Sequence, residues 1–126
     1  MYIQIFTEHA VRILQYLHIY RGLQSGMDIA ESLGISYPTF IVIAGHLRRA
    51  GLLISVQGRN GGFRLGRPAT EISFYDVFLC IEKDLCISRS LEGGGGADGE
   101  VQAFLQTWQD SLITEMSNQT IAELAS

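Results

Sequence analysis

SVQGRNGGFRLGRP, residues 55 to 68, carries four glycines, three arginines and no acid. It sits in the middle of a 126-residue chain whose formal net charge is −4. LLISV, which leads into it, is apolar and β-branched, the pattern of a strand. QGRNGG is a turn. FRLG returns as a second strand, with Phe63 and Leu65 on one face and Arg64 on the other. Pro68 ends it. The stretch therefore predicts a β-hairpin with arginine near its tip. Glycines let such a tip turn tightly and let its backbone approach another closely. The phosphate-loop reading fails, because no Gly-Lys-Ser/Thr ending is present and the loop joins two strands.

Upstream, the pattern changes to a helical period. Thr7 can cap a first helix over TEHAVRILQYLHIYRG, with Ala10, Leu14 and Leu17 on one stripe and Gly22 at its end. Ser25 can cap MDIAESL, which Gly34 stops. Ser36 or Tyr37 then starts YPTFIVIAGHLRRA, with Pro38 in the first turn, where its missing N–H costs nothing. Two helices joined by the short turn GIS make a helix–turn–helix. Ile29, Ala30, Leu33, Ile35, Phe40 and Leu47 are its expected core. A plain helical hairpin is the simpler alternative. The hairpin that follows favours the first reading, with the β-hairpin as a wing.

Charge is distributed unevenly. Residues 1–31 sum to −1 and residues 71–126 to −8, whereas residues 32–70 hold five arginines and no acid. An uninterrupted basic block is the footprint of a face that meets a polyanion, although a solvated basic surface looks the same by charge alone. An arginine at a wing tip suits a narrow minor groove. Arg48 and Arg49 also suit a helix C-terminus, which favours cations.

Downstream, Ser73 can cap a helix over FYDVFLCIE, with Asp76 at its third position and Ile72 stapled onto Val77. Residues 83–99 read as a long glycine-rich loop. DGEVQAFLQTWQDSLITEM is a long helix, with Val101, Leu105, Trp108, Leu112 and Met116 along one stripe. Thr120 and Glu123 frame a last short helix. The stripe can serve the core or a second subunit; the 47% hydrophobic content of so small a chain favours a subunit interface. The expected fold is mainly α with a small β-hairpin wing, a winged helix–turn–helix plus a long C-terminal dimerisation helix. Residues 1–72 form the DNA-binding region. Residues 73–126 supply a linker helix, a sensing loop and the dimerisation helix of the same compact domain.

In this order, FTEHAVRILQYL, DIAESLGIS, HLRRAGLLISVQGRNGGFRLGRPATEIS, DVFLCIE and TIAELA resemble the Rrf2 family of winged helix–turn–helix transcription regulators. The resemblance covers nearly the whole chain. It implies a homodimer whose long C-terminal helices cross, with a recognition helix in the major groove and a wing on the minor groove or backbone. Carried onto this chain, it makes Ser36, Tyr37, Thr39, His46, Arg48, Arg49, Arg59, Asn60 and Arg64 the DNA-contacting set. Ile41 and Val42 occupy positions that are often polar in relatives. They can touch thymine methyls but cannot make bidentate base contacts.

Cluster-binding relatives carry three cysteines in the loop before the long helix. This chain has two, Cys80 and Cys86, and ISRSLEGGGGADGE offers neither cysteine nor histidine. No cofactor and no metal site is therefore expected. Cys80 reads as a small buried hydrophobe, and Cys86 is the candidate for redox sensing. His9, His18 and His46 lack metal-ligand spacing. An unknown small effector would sit near Trp108, Phe104 and Phe78. The expected function is a homodimeric repressor of a palindromic operator, with double-stranded DNA and a second copy as partners. The alternative is a winged-helix protein-interaction module with weak or no DNA binding. No catalytic constellation stands out, so an enzyme is not expected. No signal peptide or membrane span is legible, and a cytoplasmic location fits.

Overall fold

The computed structural model describes residues 5–82 and 99–124. Helix α1 (Ile5–Ile19) precedes α2 (Gly26–Leu33) and α3 (Tyr37–Arg49). Strands β1 (Leu53–Val56) and β2 (Gly62–Leu65) follow, then a 3-10 turn (Ala69–Glu71) and helices α4 (Phe74–Glu82), α5 (Gly99–Asn118) and α6 (Ile121–Leu124). No single described helix is long and apolar enough to cross a membrane.

The helix starts are set by side-chain caps. Ser25 Oγ accepts from the Asp28 amide at 3.3 Å, and Ser36 Oγ accepts from the Thr39 amide at 3.2 Å. Each satisfies an amide that the first helical turn would leave unpaired. Ser73 and Asp76 form a reciprocal pair. The Asp76 amide donates to Ser73 Oγ at 3.1 Å, and the Ser73 amide donates to Asp76 Oδ2 at 2.9 Å. Thr120 caps α6 through the Glu123 amide at 3.1 Å. Thr7 departs from its expected capping role. The helix starts two residues earlier, at Ile5, so Thr7 lies inside the first turns and is fully buried. Its hydroxyl donates instead to Glu82 at the end of α4, at 2.6 Å.

α2 and α3 meet at 111°, within the range of a helix–turn–helix. Ala10, Ile13 and Leu14 of α1 pack against Ile29 of α2 and Phe40, Ile43 and Leu47 of α3. Leu52, Ile72, Val77 and Ile121 complete one buried cluster. Leu33 and Ile35 lie at its edge, half-buried. A smaller cluster joins Phe78 of α4 to Met116 of α5, with Phe74, Tyr75, Leu112 and Ile113 around it.

The hairpin is antiparallel, with Leu53 opposite Leu65 and Ser55 opposite Phe63. It is anchored to the turn before α2. The Gln24 amide donates to the Phe63 carbonyl at 2.9 Å, and the Phe63 amide donates to the Gln24 carbonyl at 2.8 Å. The Phe63 ring meets the edge of Phe40 at 5.1 Å between centroids. Two glycines make this contact possible. Gly62 has φ +152°, and a Cβ there would fall 2.6 Å from the Gln24 carbonyl oxygen. At Gly26, a Cβ would fall 2.9 Å from the Phe40 ring and 3.0 Å from the Phe63 ring.

The chain closes on itself at the linker. Ser73 and Thr120 form an isolated bridge, the Phe74 amide donates to the Gln119 carbonyl at 2.7 Å, and the Ile121 amide donates to the Ile72 carbonyl at 2.8 Å. α6 therefore packs back onto α1 and the 3-10 turn.

Gly62→Ala should both strain φ and push the wing off Gln24. The expected loss exceeds about 1 kcal/mol. Urea unfolding measures it, and limited proteolysis should show faster cleavage in residues 56–62 of the variant.

Candidate nucleic-acid interface

α3 and the wing face each other across an open groove of about 510 Å³. Tyr37, Ile41, Gly45 and Arg48 recur along α3 at helical spacing and line one wall. Val56, Gly58, Arg59 and Phe63 line the other, and Gly26 and Met27 close one end. No acid lines it. The groove exists because the Gln24–Phe63 bridge holds the hairpin beside the start of α2 while Phe40 fixes α3 from below.

The nine residues expected at this face fall into several groups. Tyr37, Arg48 and Arg59 line the groove. Asn60 is exposed next to Arg59 at the tip. Ser36 Oγ donates to Thr39 Oγ1 at 2.8 Å, so these two hydroxyls serve the α3 cap and each other. Arg49 Nη2 lies 3.1 Å from His46 Nδ1. Guanidinium nitrogens only donate, so Nδ1 is the acceptor of that bond. Arg64 stands on the opposite pleat of β2 from Phe63, as alternation predicts, and lines a second groove of about 440 Å³ with His18, Arg21 and Thr70.

The arginines of the acid-free block are thus divided. Arg48 and Arg59 share the α3–wing groove, Arg64 joins Arg21 on another, and Arg67 pairs with Asp76 at 3.3 Å. That last pair is more than a third exposed on both sides and adds little stability. Arg21 had no motif to single it out. Its place beside Arg64 depends on the packing of α1 against β2.

Met27 was also missed. It is exposed at the first turn of α2 and lies across the groove's mouth. A methionine one residue past a capped helix start carries no sequence signal for such a role.

On α5, the expected stripe divides in two. Met116 is buried against Phe78, with Leu112 half-buried beside it. Val101 and Trp108 are exposed, and Leu105 is half-buried. Phe104 packs on Trp108 at 5.3 Å between centroids, and both rings are more than half exposed. Of the three residues expected around an effector, Phe78 is buried in the α4–α5 contact, whereas Phe104 and Trp108 are exposed.

A hairpin wing docked on a helix–turn–helix, with a cationic groove between them, defines a winged-helix protein. The profile of the Rrf2 family, described as iron-dependent transcriptional regulators, matches residues 3–126. The chain belongs to that family. It is 39% identical over 89 residues to protein aau3 of Rhizobium meliloti, a match covering 70% of this chain and 58% of that protein. Among solved structures, CymR, the global cysteine regulator of B. subtilis, superposes with a TM-score of 0.86 over 99% of this chain and 96% of that one, at 21% identity. The oxidized form of Staphylococcus aureus CymR superposes with a TM-score of 0.79 over 100% of this chain and 97% of that one, at 26% identity.

The family description names iron, so the donor set matters. Among the described residues, no group of three His, Cys, Asp or Glu side chains is placed to hold a metal ion. Cys80 is half-buried in α4, packed against the main core. Burial pushes its thiol above the usual range, and the Arg49 guanidinium opposes this only in part. A protonated, half-buried thiol is a poor ligand. Cys86 and the GGGG run lie outside the described residues. With two cysteines in the chain, the residues do not fit a three-thiolate cluster.

The raised Cys80 pKa has a defined sign. The buried neutral thiol favours the folded state below the ordinary thiol value of 9.0, and this contribution is lost as pH rises through the folded pKa. In a Cys86→Ser background, alkylation of Cys80 should be slower at pH 8 than that of an unfolded peptide cysteine. Mass spectrometry over a pH series measures this, with the rate expected to rise only at higher pH than in the peptide.

Proposed function

We propose that the chain is a homodimeric DNA-binding repressor that reads a palindromic operator with two copies of α3 and two wings. The observation that carries this reading is the acid-free groove between α3 and the wing, with Arg48 on one wall and Arg59 on the other. Cations on both walls suit phosphates on either side of a major groove, and Arg59 and Asn60 at the tip suit the adjacent minor groove. Residues 1–72 take the DNA contacts. Residues 73–126 take linkage and pairing. A chromosomal target puts the protein in the cytoplasm, and binding over a promoter would block transcription.

The apolar half of α5 supports pairing. Phe104 and Trp108 are 57% and 59% exposed, an unusual cost in water for two neighbouring aromatic rings, tilted 44° to each other. Each copy also offers a groove of about 580 Å³ between α1, α4, α5 and α6, floored by Phe74, Leu112 and Met116. A two-fold pairing would bury the rings of one copy against the apolar face of the other. The two α3 helices would then lie about 34–36 Å apart, one turn of DNA.

One observation favours a second reading, a protein-interaction module: Ile41 and Val42 are exposed on α3. Salt separates the two. Phosphate neutralisation makes log affinity fall linearly with log salt, whereas an apolar protein interface is insensitive to it.

Arg59→Ala should weaken binding to all duplexes alike and flatten the salt slope by about 1. Fluorescence anisotropy at several salt concentrations measures both; an unchanged slope would remove Arg59 from the interface. Trp108→Glu should yield a folded monomer by sedimentation velocity, with helical circular dichroism intact. A variant that still sediments as a dimer would remove α5 from the subunit interface.

A further inference from the structure

We infer that α3 reads thymine by its C5 methyl groups, with Ile41 as the principal reading side chain and Met27, Tyr37 and Val42 around it. This rests on the DNA-binding reading above.

The outward face of the first two turns of α3 consists of Tyr37, Pro38, Ile41 and Val42, followed by Gly45. Ile41 is 42% exposed, Val42 49% and Tyr37 41%, and Met27 of α2 stands beside them at 62%. Only Tyr37 among these carries a hydrogen-bonding side chain. Ser36 and Thr39, the remaining polar groups of the first turn, bond to each other and to the helix start. The other polar side chains of α3, His46, Arg48 and Arg49, lie in its last turn, and Gln57 stands across the groove on the wing. The first two turns of α3 themselves offer no amide or carboxylate for a bidentate base contact.

The major-groove edge of natural DNA presents hydrogen-bonding atoms on every base and one apolar group, the thymine C5 methyl. An apolar helix face laid on cytosine, guanine or adenine edges strips their water and returns no hydrogen bond, which is unfavourable. Laid on thymine methyls, it removes apolar surface from water on both sides. Selection therefore works in two ways at once, by attraction to the methyl and by the penalty at other bases. Arg48 and Arg59 flank the apolar patch on the same groove, so duplex DNA is the occupant that fits both its charge and its chemistry.

The test starts from a 30-base-pair duplex selected by the protein from a random pool. Deoxyuridine then replaces thymidine one position at a time, which removes the methyl and keeps the pairing. Removing a methyl that Ile41 covers should weaken binding about fourfold, without changing the salt slope. In Ile41→Ala, an exposed position where folding is not at stake, the same replacement should have no effect. The coupling between the two changes is what assigns the methyl to Ile41. Replacements within 1.5-fold of the parent at every position would overturn the inference while leaving DNA binding intact. So would selected half-sites lacking thymine at the α3 positions. Recovery of no duplex at all would sink the DNA-binding reading and this inference with it.

Discussion

Two backbone hydrogen bonds between Gln24 and Phe63 decide what this molecule can present to a partner. A two-stranded hairpin is marginal in water on its own. Here the bridge adds a third short backbone segment, and the Phe63 ring packs against Phe40, which is itself fully buried. The wing is thereby fixed to the helix that it serves. The constraint also explains the small residues around it. Gly26 and Gly62 sit where a single added carbon would meet an aromatic ring or a carbonyl oxygen. This bridge, together with the packing of β1 on α3, holds Arg59 and Arg48 in a fixed relation across the groove.

The other half of the molecule is organised by what it leaves uncovered. α5 is tethered by Met116 and Phe78 at one end and carries Phe104 and Trp108 in the open at the other. The linker bonds at Ile72–Ser73 and Gln119–Ile121 bring the chain end back under α1. The Thr7–Glu82 bond gives α1 a second tie to α4, at its last residue. Together these contacts tie the C-terminal segment to α1, against which α2, α3 and β2 also pack.

Local chemistry made much of the fold legible. Ser25, Ser36, Ser73 and Thr120 announce their helices because a cap is a short-range device. Alternation placed Arg64 opposite Phe63 for the same reason. Contacts between distant segments left no comparable mark. Thr7 looked like a cap, yet the helix extends past it, and its hydroxyl bonds to a residue 75 positions away. The Gln24–Phe63 bridge joins backbone to backbone, so no side chain advertises it. The division of the arginines depends on Asp76, His46 and the pleat of β2, which local composition does not report. Phe78 parted from Phe104 and Trp108 because it packs on Met116, two or more turns further along α5 than the two rings.

This division of the charges bears on how affinity and selectivity can be separated. Arg48 and Arg59 line a groove whose α3 wall is largely apolar, while Gln57 and Ser55 stand on the wing side and Ser25 at the start of α2. Contacts from guanidinium groups to phosphates carry no sequence information, since every nucleotide has the same phosphate. If the bases are to be distinguished, side chains must meet their edges, and those that the first two turns of α3 expose are mostly apolar. A reader of this kind gives up the directional discrimination of a bidentate amide. It relies instead on surface area and on the unfavourable desolvation of mismatched edges, each a modest effect per base pair. Doubling the element across a two-fold axis squares the discrimination of a half-site. In the proposed homodimer, the apolar face of α3 and the exposed Phe104 and Trp108 of α5 would be parts of one arrangement: the weaker the single reading head, the more such a reader would depend on being held in pairs.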